Sequence, residues 1–196
     1  MKPASTRSVS SKRRTANWRS TPASRGTRRC DFLADRCEFL RNRGYEVDAE
    51  VATEALAFVG RRPDLFRGVG EPVLCHGNYV PDHVGRDGSE VTTVIDFEHA
   101  LVGPGEYDYW RTAIPMCRDP DGVDESLAKA FRAGYESVLG LPPKFERRAP
   151  AYRLLVVVSF FRSLYLQDQH GERKAAETAA RFRGYVADIL DSLESQ

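Results

Sequence analysis

Cys75-His76-Gly77-Asn78-Tyr79-Val80-Pro81-Asp82-His83-Val84, then Val94-Ile95-Asp96-Phe97-Glu98-His99-Ala100, then Gly103-Pro104-Gly105-Glu106-Tyr107-Asp108-Tyr109-Trp110, form the stretch on which the fold turns. Between the first two segments, Asp87-Gly88-Ser89-Glu90 separates two runs, His83-Val84-Gly85-Arg86 and Val91-Thr92-Thr93-Val94-Ile95. Asp-Gly between such runs predicts a tight hairpin, since Gly accepts the positive φ the favoured turn requires. That hairpin folds the second segment back beside the first and brings His83 close to Asp96. A carboxylate at the end of a buried strand is expensive to desolvate unless a cation pairs with it. Asp96 therefore stands where a divalent ion is useful, and Asp82 and His83 offer further ligands or a base. Mg²⁺ prefers oxygen ligands, whereas imidazole suits Mn²⁺ or Zn²⁺. Taken singly, Asp96 reads as a turn cap and His83 as a core histidine with its hydrogen bonds met. Their clustering moves Asp96 toward the metal role, and His83 less so.

The three segments, in this order and at this spacing, resemble the aminoglycoside phosphotransferase and choline kinase-like family, whose fold is kinase-like and two-lobed. His76-Gly77 matches the opening of that family's H-G-D-x-x-x-x-N catalytic loop. Ile95-Asp96-Phe97-Glu98 matches its metal-binding I-D-[WF]-E motif, and Gly103 to Asp108 its G-x-P-x-x-D segment. The resemblance implies that Asp96 binds metal and that His76 and Asp108 brace the loop. It also exposes two departures. The family's catalytic Asp falls on Asn78, which can position a hydroxyl but cannot take its proton. The family's metal-binding Asn falls on His83. Asp82, in the same loop, is the carboxylate available to replace the missing base. The cofactors implied are ATP or GTP with Mg²⁺ or Mn²⁺, and the acceptor a small hydroxylated or amine-bearing molecule.

Kinase-like folds also grip ATP with a Gly-rich loop and a strand Lys. Neither is found upstream of His76: Gly68 and Gly70 follow helices, and Lys2 and Lys12 lie in a basic tail. The likeness thus covers about residues 30–195 and implies the C-terminal lobe alone, without the N-terminal ATP-binding lobe. Two functions compete on this reading. One is γ-phosphoryl transfer from a nucleotide to a small-molecule hydroxyl, of doubtful strength in this chain alone. The other is a non-catalytic, pseudokinase-like or remnant module that binds a metal, ligand or protein. A surface normally covered by the other lobe makes self-association or a partner lobe plausible.

Outward from this stretch the pattern is helical, so the fold class expected is α+β, mainly helical, wrapped around one small hairpin. Leu33, Cys37 and Leu40 recur at helical spacing before Gly44. Asp48 reads as the N-cap of a second helix through Val51, Ala55 and Val59 to Gly60. Asp124 reads as the cap of one carrying Leu127, Phe131, Tyr135 and Val138, ended by Gly140 and Pro142-Pro143. Tyr152, Leu155, Val158, Phe161 and Tyr165 mark another. Phe182, Val186, Ile189 and Leu193 mark a last one, from about Glu172. Tyr107, Tyr109 and Trp110 read as a core plug more than as an acceptor pocket. Arg111 reads as the partner of Asp108 or Glu106, or as a phosphate clamp. Glu98 and His99 read as a brace or as aids to cation or acceptor binding, and His170 as a solvated turn residue.

Composition sets the remaining bounds. Residues 1–29 hold nine Lys/Arg and no acid, leaving 20 basic and 28 acidic residues in 30–196. With Val9 and Trp18 its only large apolar residues, this tail reads as disordered. It is a solvated or non-native stretch, a basic arm for nucleic acid or an anionic surface, or a targeting peptide, with the first favoured and nucleic acid held unlikely. The acidic, Lys-poor body suits a salt-rich cytoplasm or a high-GC coding bias equally. Cys30, Cys37, Cys75 and Cys117 lack CxxC spacing, which points away from a disulfide framework or structural zinc and toward reduced, cytoplasmic thiols. No apolar run reaches membrane-spanning length, the longest being residues 154–161.

Overall fold

The computed structural model describes residues 34–119, 122–166 and 171–195. The basic tail, Cys30 and His170 lie outside them.

Helix α1 covers residues 34–42 and packs Cys37 and Leu40 inward. Gly44, at φ 78°, turns the chain into α2 (Glu46–Arg61). The expected N-cap role of Asp48 is not what the fold uses. Helix α2 begins three residues earlier than that cap requires, with Tyr45 at its N-cap, so Asp48 falls inside the first turn. There it is buried and receives hydrogen bonds from Arg183 at 2.6 Å and from the Tyr165 hydroxyl. A carboxylate desolvated in this way is held by a cation and a hydroxyl, and it ties α2 to two later helices.

Strand β1 (Pro72–Cys75) leads into the loop 76–83, and the predicted hairpin follows as β2 (Val84–Asp87) and β3 (Glu90–Val94). Gly88 takes φ 57° in its turn, and a bulge lies between Gly85 and Arg86. The expectation of a buried strand before Asp96 is corrected. Residues Glu90 to Thr93 of β3 are exposed, and Ile95 is 54% exposed, because no described element covers the outer face of this two-stranded ribbon. Strand β4 (Leu101–Pro104) returns antiparallel to β1, pairing Cys75 with Leu101 and Pro72 with Pro104.

The segment after β4 is helix α3 (Gly105–Cys117), an element that the Gly-Pro-Gly run and Pro115 concealed in the sequence. Two short strands, β5 (Arg118–Asp119) and β6 (Gly122–Val123), pair before α4 (Glu125–Val138). Asp124 caps α4 as expected, accepting from the amides of Ser126 and Leu127 at 3.0 Å each. The long helices α5 (Phe145–Leu166) and α6 (Glu172–Glu194) complete the body.

The core is built on α5. Its Leu154, Val156, Val158 and Phe161 are fully buried, together with Ala52 of α2 and Val186 and Leu193 of α6. By length and composition alone α5 could cross a membrane, yet 56% of its apolar window is buried inside the protein. It also carries Arg148, whose guanidinium is locked to the Glu106 carboxylate with both groups almost inaccessible. Such a helix is the core helix of this body. Tyr109 and Trp110 meet Phe131, Tyr135 and Phe145 at ring-centroid separations of 5.0–5.5 Å. The core-plug reading of these aromatics holds.

Candidate active site

The loop 76–83 is fastened at its start by α3. The backbone amides of His76 and Gly77 donate to the two oxygens of Asp108, at 2.8 and 2.7 Å. One turn along the same helix, Arg111 Nε donates to the carbonyl of Gly77 at 2.9 Å. Residues three apart share a helix face, so Asp108 and Arg111 reach the loop together. The expected pairing of Arg111 with Asp108 or Glu106 is therefore corrected. Asp108 is occupied by loop amides, and Glu106 points to Arg148, which donates to it through Nε at 2.9 Å. Arg111 also donates to Ser159 Oγ and lies over the ring of Phe160 at 4.7 Å.

Gly77 is required where it stands. Its φ is 78°, and a β-carbon there would lie 2.3 Å from the carbonyl oxygen of His99. This approach presses the loop against the turn that follows Asp96.

The His76 ring joins the two segments. Its Nε2 lies 2.8 Å from the Ile95 carbonyl, and its Nδ1 accepts from the Asn78 amide at 3.2 Å. A carbonyl can only accept, so Nε2 carries the hydrogen and Nδ1 the lone pair. The ring thus spans from the loop to the strand end that carries Asp96.

Asp96 sits in left-handed backbone, φ 66° and ψ 48°, just before the turn Phe97–His99. Its side chain makes no capping bond there, which removes the plainer reading of a turn cap. Instead its Oδ2 receives Asn78 Nδ2 at 3.3 Å and faces His83 Nε2 at 3.4 Å. His83 Nδ1 lies 2.9 Å from the Asn78 carbonyl and so must donate to it. In the neutral ring the remaining nitrogen, Nε2, presents a lone pair to a carboxylate oxygen. The contact is an ion pair when the ring is protonated, and a lone pair beside a carboxylate, open to a cation, when it is not. Left-handed backbone stores strain of order 1–2 kcal/mol in a non-glycine residue, and such strain gathers at functional positions.

Among the described residues no three His, Cys, Asp or Glu side chains cluster as a metal cage. The Asp96–His83 pair, with the Asn78 amide, offers a two-ligand site. The carboxylate fits Mg²⁺ or Mn²⁺ and the imidazole favours Mn²⁺, and either ion keeps several positions for water and phosphate oxygens. Asp82 is exposed in the turn Pro81–His83, and no hydrogen bond or ion pair among the described residues joins it to Asn78 or Asp96. Glu98 is exposed and lies 3.4 Å from His99 Nε2. Burial, then the positive charge of Arg111, holds the His99 pKa below its ordinary value.

Sequence reasoning missed Arg111 as a loop clamp and Arg148 as the partner of Glu106. The spacing of Asp108 and Arg111 carried the first signal, but only once the segment is read as a helix.

The chain matches the sequence model of the phosphotransferase enzyme family, APH, over residues 15–152. It is 29% identical over 120 residues to a homoserine kinase of Neisseria meningitidis serogroup B, covering 59% of this chain and 39% of that protein. In fold it is similar to a thermostable mutant of the aminoglycoside phosphotransferase APH(4)-Ia in its apo form. That likeness has a TM-score of 0.51 at 16% identity and covers 75% of this chain and 45% of the other. This chain thus spans less than half the length of either relative.

Proposed function

The chain belongs to the phosphotransferase enzyme family, and from that premise we propose that it serves transfer of the γ-phosphoryl group of ATP or GTP to a hydroxyl of a small molecule. The observation that carries the proposal is the confrontation of His83 Nε2 with Asp96 Oδ2 at 3.4 Å. These two residues would hold Mg²⁺ or Mn²⁺, whose charge neutralises the phosphate oxygens during transfer. Asn78, bonded to Asp96 and one residue from the clamped Gly77, positions the acceptor hydroxyl. Asp82, exposed farther along the same loop, is the carboxylate that takes the hydroxyl proton. The names of the relatives, a homoserine kinase and an aminoglycoside phosphotransferase, support an acceptor that is small, hydroxylated and amine-bearing.

Binding and transfer are tested separately. Mn²⁺ is titrated into the chain with and without ATP, and free Mn²⁺ is counted by electron paramagnetic resonance. One site per chain is expected, tightened by ATP and weakened at least about tenfold in Asp96→Asn, the loss of one charge-assisted ligand. Equal Mn²⁺ binding by Asp96→Asn refutes the site. Asp82→Asn should lower any transfer rate by about 10²-fold, the usual contribution of a positioned base. An unchanged rate removes Asp82 from the mechanism.

Asn78 itself favours a second reading, a module that binds metal and ligand without transfer. Restoring a carboxylate separates the two. Asn78→Asp should raise transfer by about 10²-fold or more if the site is catalytic. A variant that binds Mn²⁺ and ATP yet transfers nothing supports the binding module.

A further inference from the structure

Behind the loop lies a cavity of about 200 Å³, of which Gly77 and His99 form the wall shared with the site. Three arginines converge on it from three helices: Arg36 of α1, Arg111 of α3 and Arg162 of α5. Ser163 adds a hydroxyl. The volume is too small for a whole drug-sized ligand, which needs roughly 300 Å³ or more, but suits one charged end of a small molecule.

Two of these cations, Arg111 and Arg162, have no carboxylate bonded to them among the described residues. Arg111 is 8% exposed, and its assigned hydrogen bonds go to a carbonyl and a hydroxyl, both neutral. Among the described residues no carboxylate lies within ion-pair distance of Arg111 or of Arg162. The groups whose fields favour the charged Arg111 are the Tyr107 phenol and then Asp108, and Asp108 has both oxygens engaged by the amides of His76 and Gly77. Burial and the neighbouring cations act on the proton affinities in the same direction. Arg36 is lowered by burial and then by Arg162, and His99 by burial and then by Arg111. A buried guanidinium without a carboxylate is costly, and an oxyanion taken into the fork of two of them removes that cost.

Resting on the phosphotransferase reading, we infer that this cavity is an oxyanion subsite that takes the carboxylate or phosphate end of the acceptor. The acceptor is then an anionic or zwitterionic hydroxy compound, and a purely cationic amino sugar is excluded. Arg111 makes the link physical, because the same side chain that faces the cavity holds the carbonyl next to Asn78. Arg162 is the anion ligand with the least structural work of its own, its ring contact with Phe39 lying at 5.5 Å.

The test uses calorimetry on the full chain without metal or nucleotide, so that its outcome is independent of the Asp96 site. Glycerate and glycerol 3-phosphate are the probes, glycerol the neutral control and glucosamine the cationic one. We expect one or both anions to bind and both controls to fail. Which anion binds distinguishes a carboxylate from a phosphate acceptor. Arg162→Gln should weaken the anion about tenfold, Arg162→Lys less, and Arg61→Gln, an exposed arginine on α2, not at all. Circular dichroism confirms that each variant is folded. Absence of anion binding, equal binding of glycerol, or an equal loss in Arg61→Gln overturns the assignment. In a separate titration with metal-free ATP, binding of ATP where neither small anion binds assigns the charge to the nucleotide phosphates and overturns it as well.

Discussion

A β-carbon on Gly77 would sit 2.3 Å from the His99 carbonyl oxygen, and the residue also needs φ 78°. Gly88 has φ 57° but open space around it. Gly88→Ala should therefore cost about 1 kcal/mol, the backbone penalty alone, whereas Gly77→Ala adds a steric clash and should cost more than about 2 kcal/mol. Urea unfolding measures both, and equal losses would show that the close approach yields easily. Asp96 makes the opposite case. Its left-handed backbone suits Gly, so Asp96→Gly should leave stability within about 1 kcal/mol while Mn²⁺ affinity disappears. Loss of both together would mean that Asp96 is structural. At this scale the approach of His83 to Asp96 was legible because the hairpin fixes which residues meet. The orientation of the His83 ring was not: a sequence cannot say which imidazole nitrogen faces a carboxylate.

Helix α3 carries the site's connections to the rest of the fold, since Glu106, Asp108 and Arg111 leave it toward α5, the loop amides and the loop carbonyl respectively. The Glu106–Arg148 pair is 2% and 1% exposed. Removing one partner leaves the other charged in a dry interior, so Arg148→Met should lose about 3–5 kcal/mol. The double variant Glu106→Leu, Arg148→Met should recover most of it, because a well-packed apolar pair often matches a buried ion pair. If the double variant were as unstable as the single, the Arg67 carbonyl, which Arg148 Nη1 also holds at 3.2 Å, would be the contact that matters. The hairpin, the Asp124 cap and the apolar face of α6 were readable because each is a local pattern. The pairing of β1 with β4 was not, since nothing near Pro72 announces Pro104 as its partner. Helix α3 was hidden because its first residues are turn formers and its aromatic positions obscure the helical period.

Across the whole molecule the sheets and the helical body meet at β1, β4 and the start of α3, where Cys75 and Tyr135 are packed. The Cys75 thiol is fully buried, with carbonyl oxygens of Gly103 and Pro104 at 3.6 Å. Burial, then the charge of Asp108, pushes its pKa up to about 12. Burial pushes Tyr135, whose hydroxyl a β-carbon on Gly105 would meet at 2.6 Å, up to about 12 as well. The consequence is a fold that weakens in alkali. A raised folded-state pKa means that the native protein keeps a proton which the unfolded chain gives up. The stability it contributes is complete below the unfolded thiol's value of 9.0 and is lost as pH rises toward 12. Tyr135 adds the same loss above its ordinary value of 10.0. Each proton retained steepens the decline by about 1.4 kcal/mol per pH unit, so Cys75 accounts for roughly 4 kcal/mol at most by pH 12. Urea unfolding at pH 8, 9, 10 and 11 should show stability falling from pH 9. In Cys75→Ser the slope between pH 9 and 10 should be shallower by close to one proton, and Tyr135→Phe should differ from the parent only above pH 10. An unchanged slope in Cys75→Ser would mean that the thiol ionises freely in the native state. The junction of sheet and helices would then be open to water rather than sealed.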